Sequence, residues 1–268
     1  MGSLVAALAS YLDAKANDGL WLMRIEDLDP PRESVEAKSL IPQQLEAHGL
    51  EWDGQIQYQS HHNDRYEAVL QDLLQADLVF PCSCSRKQLG GNLHQGRCQH
   101  NGQEPAALRL LVPDEVWSFE DRIYGKHTQN LQKEVGDQVL KRKDGLYAYQ
   151  LAVTVDDEAS GITHVVRGAD LLDNTERQLY LQHCLGYKHP SYLHLPLVIN
   201  EEGQKLSKQN HAKALDLSKA DSNLHQCLVF LNQHPPANLK HESCDQQLKW
   251  AIEHWKPHAV RPSQDGII

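Results

Sequence analysis

Three groups of residues in this 268-residue chain combine types and spacings suited to chemistry. The first is Cys82-x-Cys84 followed by Cys98, with His94 and His100 nearby. Thiolates and imidazole held close in a turn-rich loop can supply the tetrahedral set that Zn2+ takes, and Gly90, Gly91 and Gly96 let the loop fold back. On spacing alone, unrelated buried cysteines or a redox pair compete with zinc, because C-x-C is weaker evidence than paired C-x-x-C knuckles. The second group is Lys205-Leu206-Ser207-Lys208. Two ammonium groups and a hydroxyl on a glycine-flanked loop suit a polyphosphate, and a solvated surface loop would read the same way. The third is Glu26 after one strand-like run, Arg167 after another and Tyr149 near the start of a third. Open α/β sheets bind ligands beyond the carboxyl ends of their strands. There an arginine fork grips a carboxylate and an acid grips an ammonium, together fitting an amino acid with an extra carboxylate. A structural Arg–Glu ion pair is the competing reading.

These groups need elements to position them. Residues 3–17 place Leu4, Leu8, Tyr11 and Leu12 on one helical face, with Gly19 as the stop. Residues 20–25 read as a buried strand of the parallel-sheet kind. Asp29 is suited to cap a helix that accepts Pro30 and Pro31 in its first turn and runs to about His48, with a kink or break at Pro42. A third helix follows Ser60 with Tyr66, Val69, Leu70, Leu73 and Leu74 inside. Residues 107–112, 138–142 and 149–155 read as strands, the last two joined by a turn at Lys143-Asp144-Gly145. A strand over 162–166 leads to Arg167, and Thr175-x-x-Gln178 reads as a capping box. Residues 193–199 form a further strand, and the last 58 residues read as helices joined at Pro235-Pro236 before a loose polar tail.

Alternating helix and buried strand predicts an α/β, Rossmann-like, doubly wound parallel sheet with a small zinc-binding insertion and a C-terminal helical region. Such a unit normally opens on a central strand, whereas this chain opens on a helix. The reading adopted is that the first strand is missing.

Composition narrows the class. Apolar residues make up 40% and charged residues 23%, as in globular proteins. With 26 Lys+Arg against 36 Asp+Glu the net charge is −10, which argues against indiscriminate duplex binding but leaves room for a local RNA-binding patch. No apolar run reaches the ~18 residues of a membrane span. The opening Leu4-Val5-Ala6-Ala7-Leu8-Ala9 lacks a basic lead-in, so it reads as a helix face rather than a signal core. Six cysteines, three of them clustered, fit a reducing cytosol better than a disulfide framework.

Taken together, the motifs resemble a specific family. The run from Arg24 through Glu26-Asp27-Leu28-Asp29-Pro30-Pro31 to Glu33 resembles the glutamate-pocket segment of class I glutamyl-tRNA synthetases. Val166-Arg167-Gly168-Ala169-Asp170 resembles their second pocket segment, and Lys205-Leu206-Ser207-Lys208 their KMSKS signature. The longer string Lys205-Leu206-Ser207-Lys208-Gln209-Asn210-His211-Ala212 is most similar to that of the shortened glutamyl-Q tRNA(Asp) synthetases, and the 60 residues after Lys208 agree with that expectation. The resemblance runs from residue 2 to about 215. It implies ATP- and Mg2+-dependent activation of L-glutamate and its transfer to the queuosine base in the anticodon of tRNA(Asp), by a cytoplasmic monomer without membrane contact. By the same resemblance Glu26 would bind the α-ammonium, Tyr149 would enclose it and Arg167 would clamp a carboxylate. Lys205, Ser207 and Lys208 would hold ATP, with Lys208 steadying the triphosphate. One structural Zn2+ would take Cys82, Cys84, His94 and Cys98, His94 standing where the family has a tyrosine; His100 is the alternative fourth ligand.

The expected partition is 1–80 for the first half of the nucleotide-binding fold, 81–145 for the zinc-containing insertion, 146–200 for the second half and 201–268 for the lysine loop and helices. The family opens with a strand carrying a substrate-binding arginine and then a HIGH-like signature. This sequence begins within that signature, so poor or no adenylation is expected of it. The competing readings are a catalytically silent RNA-binding or zinc-stabilised remnant and a shortened glutamyl-tRNA synthetase.

Overall fold

The computed structural model describes residues 1–30, 36–89, 93–97, 105–199, 215–262 and 266–267. Among them the helices are α1 (Gly2–Lys15), α2 (Ala37–Ala47), α3 (Asn63–Gln75), α4 (Arg86–Leu89), α5 (Leu131–Glu134), α6 (Tyr149–Ala159), α7 (Thr175–Leu185), α8 (Ala220–Phe230) and α9 (Cys244–His254). The strands begin with β1 (Arg24–Ile25), β2 (Gln57–Tyr58), β3 (Val79–Cys82), β4 (Ala107–Leu110), β5 (Val116–Asp121) and β6 (Gly125–Asn130). They continue with β7 (Gln138–Lys141), β8 (His164–Gly168), β9 (Ser191–Leu195), β10 (Val198–Ile199) and β11 (Gly266–Ile267).

The expected α/β architecture is present, with its parallel pairing in separate blocks. β1 pairs parallel with β2, and β8 pairs parallel with β9 over five residue pairs. The larger sheet runs β6-β5-β9-β8, while β3, β4 and β7 form an antiparallel sheet beneath the cysteine segment. Among the described residues no strand lies between β1 and β8.

Two apolar clusters hold these layers. In one, Leu4, Leu8 and Leu12 of α1 pack with Leu193 and Leu195 of β9, Leu224 and Leu228 of α8, and Leu248 of α9. The helical stripe read from the sequence is the buried one, although Tyr11 is only partly covered. In the other, Tyr66 and Leu70 of α3 meet Leu110, Leu140, Leu151 and Leu181. The C-terminal helices therefore cover the sheet through α1.

Several elements depart from the sequence expectations. Residues 149–155 form the first turns of α6, with Leu151, Ala152, Val153 and Val155 all buried. A short, fully buried apolar run satisfies strand and helix alike, so periodicity cannot separate them. Tyr149 thus heads a helix rather than a strand. Helix α2 runs through Pro42 to Ala47 without a break and buries none of its residues. Proline leaves the Lys38 carbonyl without its helical amide; water can satisfy it on an unburied helix. The hairpin β5–β6 was not foreseen. Its turn is an Asx-turn, in which Asp121 Oδ1 accepts from the amides of Ile123 and Tyr124, both at 2.9 Å, with Gly125 at φ 70°. The polar tail is not wholly loose, since Gly266–Ile267 lies parallel to Val198–Ile199.

Candidate active site

Strand β1 delivers Arg24 and Glu26 to the rim of a cleft of about 720 Å³, whose walls also carry Tyr149, Asp157 and Arg167. Three residues far apart in the sequence, Glu26, Tyr149 and Arg167, are thereby brought to one cavity. Arg24 joins two acids there: its Nη1 donates to Asp157 Oδ1 at 2.7 Å, and its Nη2 lies 3.6 Å from Glu26 Oε1. Asp157 is on α6, two turns after Tyr149, so the helix that supplies the phenol also supplies the second carboxylate.

Burial raises the Glu26 carboxyl above its usual range; Arg24 and more weakly Arg167 pull it down, while Asp157 pushes it up. Its side chain is still 46% exposed, open to the cleft. Asp157 is raised for the same first reason, burial, against the pull of Arg24 and Arg167. Burial also raises the Tyr149 phenol, with Glu26 adding to the shift. Two carboxylates held above their ordinary values attract a further cation, and Arg167 attracts an anion. The site is therefore electrostatically matched to a zwitterion.

Arg167 is held from behind by a network the sequence reading did not contain. Its Nε donates to His194 Nε2 at 3.0 Å, Nη1 to Gln178 Oε1 at 2.9 Å, and Nη2 to Thr175 Oγ1 at 3.0 Å and the Leu171 carbonyl at 3.4 Å. One Nη1–H remains for a ligand. Arginine only donates, so His194 Nε2 carries the lone pair and Nδ1 the proton, which is given to Asp121 Oδ2 at 2.7 Å. Asp121 also accepts the His194 amide at 3.0 Å. His194, its backbone and the β5–β6 turn thus form one rigid support.

This network corrects the capping-box reading. Helix α7 is preceded by Asn174, with no side-chain cap bond. Thr175 and Gln178, the two residues of the expected box, turn instead toward Arg167. Because Gln178 Oε1 accepts from Arg167, its Nε2 is fixed as a donor; that atom is buried and faces the Tyr149 phenol, where it counters part of the upward shift. A carboxylate bound at Arg167 has a second donor available there.

A smaller cavity of about 170 Å³ lies where the start of α1 (Gly2 and Ser3) faces Gly168, Asp170 and Pro196. No acidic side chain occupies the first turn of α1, although Asp170 lines the same cavity. A Cβ at Gly168 would stand 2.5 Å from Asp170 Oδ1, which explains the glycine. Lys205, Ser207 and Lys208 lie outside the described residues.

Cys82, Cys84 and His94 form a separate cluster, with one ligand atom of each within 4.8 Å of the others. His94 Nδ1 bonds Asp137 Oδ2 at 2.9 Å, and both side chains are buried. Asp137 is itself anchored by the Val112 amide at 3.0 Å, and its own amide donates to the His94 carbonyl at 2.6 Å. Gly136 makes this approach feasible, since a Cβ there would meet that carbonyl at 2.5 Å. Two thiols and an imidazole whose second nitrogen is already bonded to a carboxylate are a fitting donor set for Zn2+. Cys98 and His100 lie outside the described residues.

The family model for tRNA synthetases class I (E and Q), catalytic domain, matches residues 1–100 and 91–232. The chain belongs to this family. It is accordingly an aminoacyl-tRNA-synthetase-like ligase. It is 50% identical over 258 residues to the glutamyl-Q tRNA(Asp) synthetase of Pseudomonas aeruginosa PAO1, covering 95% of this chain and 88% of that one. To the protein of the same name from Neisseria meningitidis serogroup C it is 48% identical over 281 residues, covering 98% and 95%. Its fold is similar to a crystal structure of a glutamate tRNA ligase from Elizabethkingia meningosepticum, with a TM-score of 0.82 at 23% identity. That likeness covers 98% of this chain and 63% of the ligase, so the chain spans less than two thirds of the ligase's length. Among the described residues no helix is long and apolar enough to cross a membrane.

Proposed function

We propose that this synthetase-family chain activates L-glutamate with ATP and transfers it to the queuosine base in the anticodon of tRNA(Asp). The observation that carries the reading is the meeting of Glu26, Tyr149 and Arg167 on one cleft, where the acid and the guanidinium are near enough to act on each other. Identity of 48–50% to the glutamyl-Q tRNA(Asp) synthetases, against 23% to the glutamate tRNA ligase, favours this substrate over the tRNA 3′ end.

In this mechanism Glu26 takes the α-ammonium of glutamate, and Asp157 adds negative charge behind it through Arg24. Arg167, supported by His194, clamps the side-chain carboxylate with Gln178 as a second donor, and Tyr149 closes over the carbon chain. The small cavity at the start of α1 receives part of the nucleotide, and Lys205, Ser207 and Lys208 hold its phosphates. An oxygen of the glutamate α-carboxylate attacks the α-phosphorus of ATP; the bond to the β-phosphate oxygen breaks and pyrophosphate leaves. A ring hydroxyl of queuosine then attacks the acyl carbon, AMP leaves and the hydroxyl proton is lost to solvent. The chain's part is placement and charge stabilisation. Mg2+ bound with ATP would offset charge on the departing pyrophosphate. Cys82, Cys84, His94 and Cys98 would hold one structural Zn2+, with four protein ligands and no open position. The setting is the cytoplasm, and the working unit a monomer.

The test is transfer of labelled glutamate to tRNA(Asp) with and without queuosine, read as a ratio so that a low absolute rate does not obscure it. Label should appear only on the queuosine-bearing tRNA and should survive removal of the 3′-terminal nucleotide. Label lost with the 3′ end points to a glutamyl-tRNA synthetase. Tight tRNA binding without transfer points to a silent RNA-binding remnant.

A further inference from the structure

We propose that Asp156 is a positioning residue for the ammonium half of the candidate pocket, fixing the segment that carries Glu26 through the turn that follows β2. This role rests on the glutamate reading, and Asp156 itself touches no substrate.

Asp156 sits one place before Asp157 on α6, with its side chain fully buried. Four donors converge on it. Oδ2 accepts from Gln59 Nε2 at 3.0 Å and from the Tyr66 hydroxyl. Oδ1 accepts from His62 Nδ1 and from Arg65 Nη1, both at 2.9 Å. A carboxylate offers about four acceptor sites, so none is left for a ligand. Burial and the bond to Asp156 push the Tyr66 phenol up, which keeps it a donor. Spacing explains the convergence. Residues 59, 62 and 66 stand three and four apart where a 3-10 turn, Gln59–His61, runs into α3, and that interval puts side chains on one face.

The donors come from two places with different consequences. Arg65 and Tyr66 belong to α3, whereas Gln59 and His62 bound the turn after β2. That turn is joined twice to the segment of Glu26. Tyr58 pairs with Ile25 in the β1–β2 ladder. Ser60, beside Gln59, gives its amide to Asp27 Oδ1 and its hydroxyl to Asp27 Oδ2, both at 2.8 Å. Asp27 follows Glu26 directly, and its side chain is almost fully buried. On the other side of Glu26, Arg24 donates to Asp157 at 2.7 Å. Glu26 is therefore flanked by two tie points, and both lead back to neighbouring residues of α6. Because the same helix begins at Tyr149, Asp156 sets where the acid stands relative to the phenol across the pocket.

Glutarate supplies the test, because it is glutamate without the α-ammonium. Titration calorimetry of the full chain gives the ratio of glutamate to glutarate affinity, which a general loss of folded protein does not move. Two double variants each remove one donor from each oxygen of Asp156. Gln59→Met with His62→Leu cuts the turn loose; Arg65→Met with Tyr66→Phe frees only α3. Both should lower stability in urea. Only the turn pair should lower the ratio, by about tenfold, the size of one weakened charge-assisted hydrogen bond. The α3 pair should leave it unchanged. Should either pair not fold, Gln59→Met and Tyr66→Phe, one donor each on Oδ2, give the same contrast at smaller size. Equal changes from the two arms, no change in either, or a change from the α3 arm alone would overturn the proposal. An unmodified chain with no preference for glutamate over glutarate would overturn the glutamate reading itself and this role with it.

Discussion

Arg167 Nε stands 3.0 Å from His194 Nε2, so a buried imidazole, not a carboxylate, sits behind the guanidinium of the candidate site. The arrangement orients Arg167 without neutralising it. Its charge stays available to an incoming carboxylate, which a buried Asp or Glu partner would have diminished.

Replacing that imidazole tests the orientation. His194→Ala orphans Arg167 Nε, at a cost of about 1–3 kcal/mol when left buried and unpaired, and leaves Asp121 Oδ2 with the backbone amide of position 194 alone. Urea unfolding should show lower stability. In protein that remains folded, the glutamate affinity should fall while the affinity for ATP changes little; equal loss of both would mean that His194 supports the fold alone.

Removing the acid at the end of β1 tests the other pole. Glu26→Gln keeps shape and hydrogen bonding but loses the charge facing the ammonium. Titration calorimetry should show glutamate binding weakened by about 1.5–3 kcal/mol, the range for hydrogen bonds to charged groups. Stability should be nearly unchanged, because the side chain is 46% exposed and its nearest cation, Arg24, keeps Asp157.

The metal cluster predicts a dependence on a residue outside the ligand set. Asp137→Asn should weaken Zn2+ about 10–100-fold in a chelator competition, because the carboxylate fixes the imidazole of His94. In a His94→Tyr background the same substitution should matter much less, since a phenol has no second ring nitrogen to hold. Absence of Zn2+ from the unmodified chain would remove the zinc reading itself.

One exposed network gives a pH signature. The Glu67 carboxyl is lowered from 4.5 to about 2 by its bond to Lys141, with Gln71 and Tyr147 adding to the shift. A depressed carboxyl contributes stability that is complete above 4.5 and lost as pH falls toward 2. The side chain is 39% exposed, so solvent screening keeps the effect within about 1 kcal/mol. Denaturation midpoints of Glu67→Gln should fall less steeply than wild type across that window, and salt should narrow the difference.

The sequence made some of this readable and hid the rest for physical reasons. Stripes such as Leu4, Leu8 and Leu12 or Tyr66, Leu70 and Leu73 repeat at helical spacing and are buried as expected. Strands 107–110 and 138–141 also fall where apolar runs place them, apart from the run at 149–155, where full burial erased the period. Glu26, Tyr149 and Arg167 were legible through motif resemblance. Their supports were not: Asp157, His194 and Asp121 reach the site through side chains 133, 27 and 73 residues from their partners, and no local pattern encodes such contacts. Thr175 and Gln178 carried a signal that pointed the wrong way, because a pair three residues apart on one helical face can bond an amide or a guanidinium equally well.

The most direct measurement is a crystal structure of this chain with L-glutamate. The account places the α-nitrogen within about 3 Å of Glu26 and the side-chain carboxylate on Arg167 and Gln178 Nε2. Glutamate bound away from these residues, or with its carboxylate and ammonium exchanged between them, would contradict it.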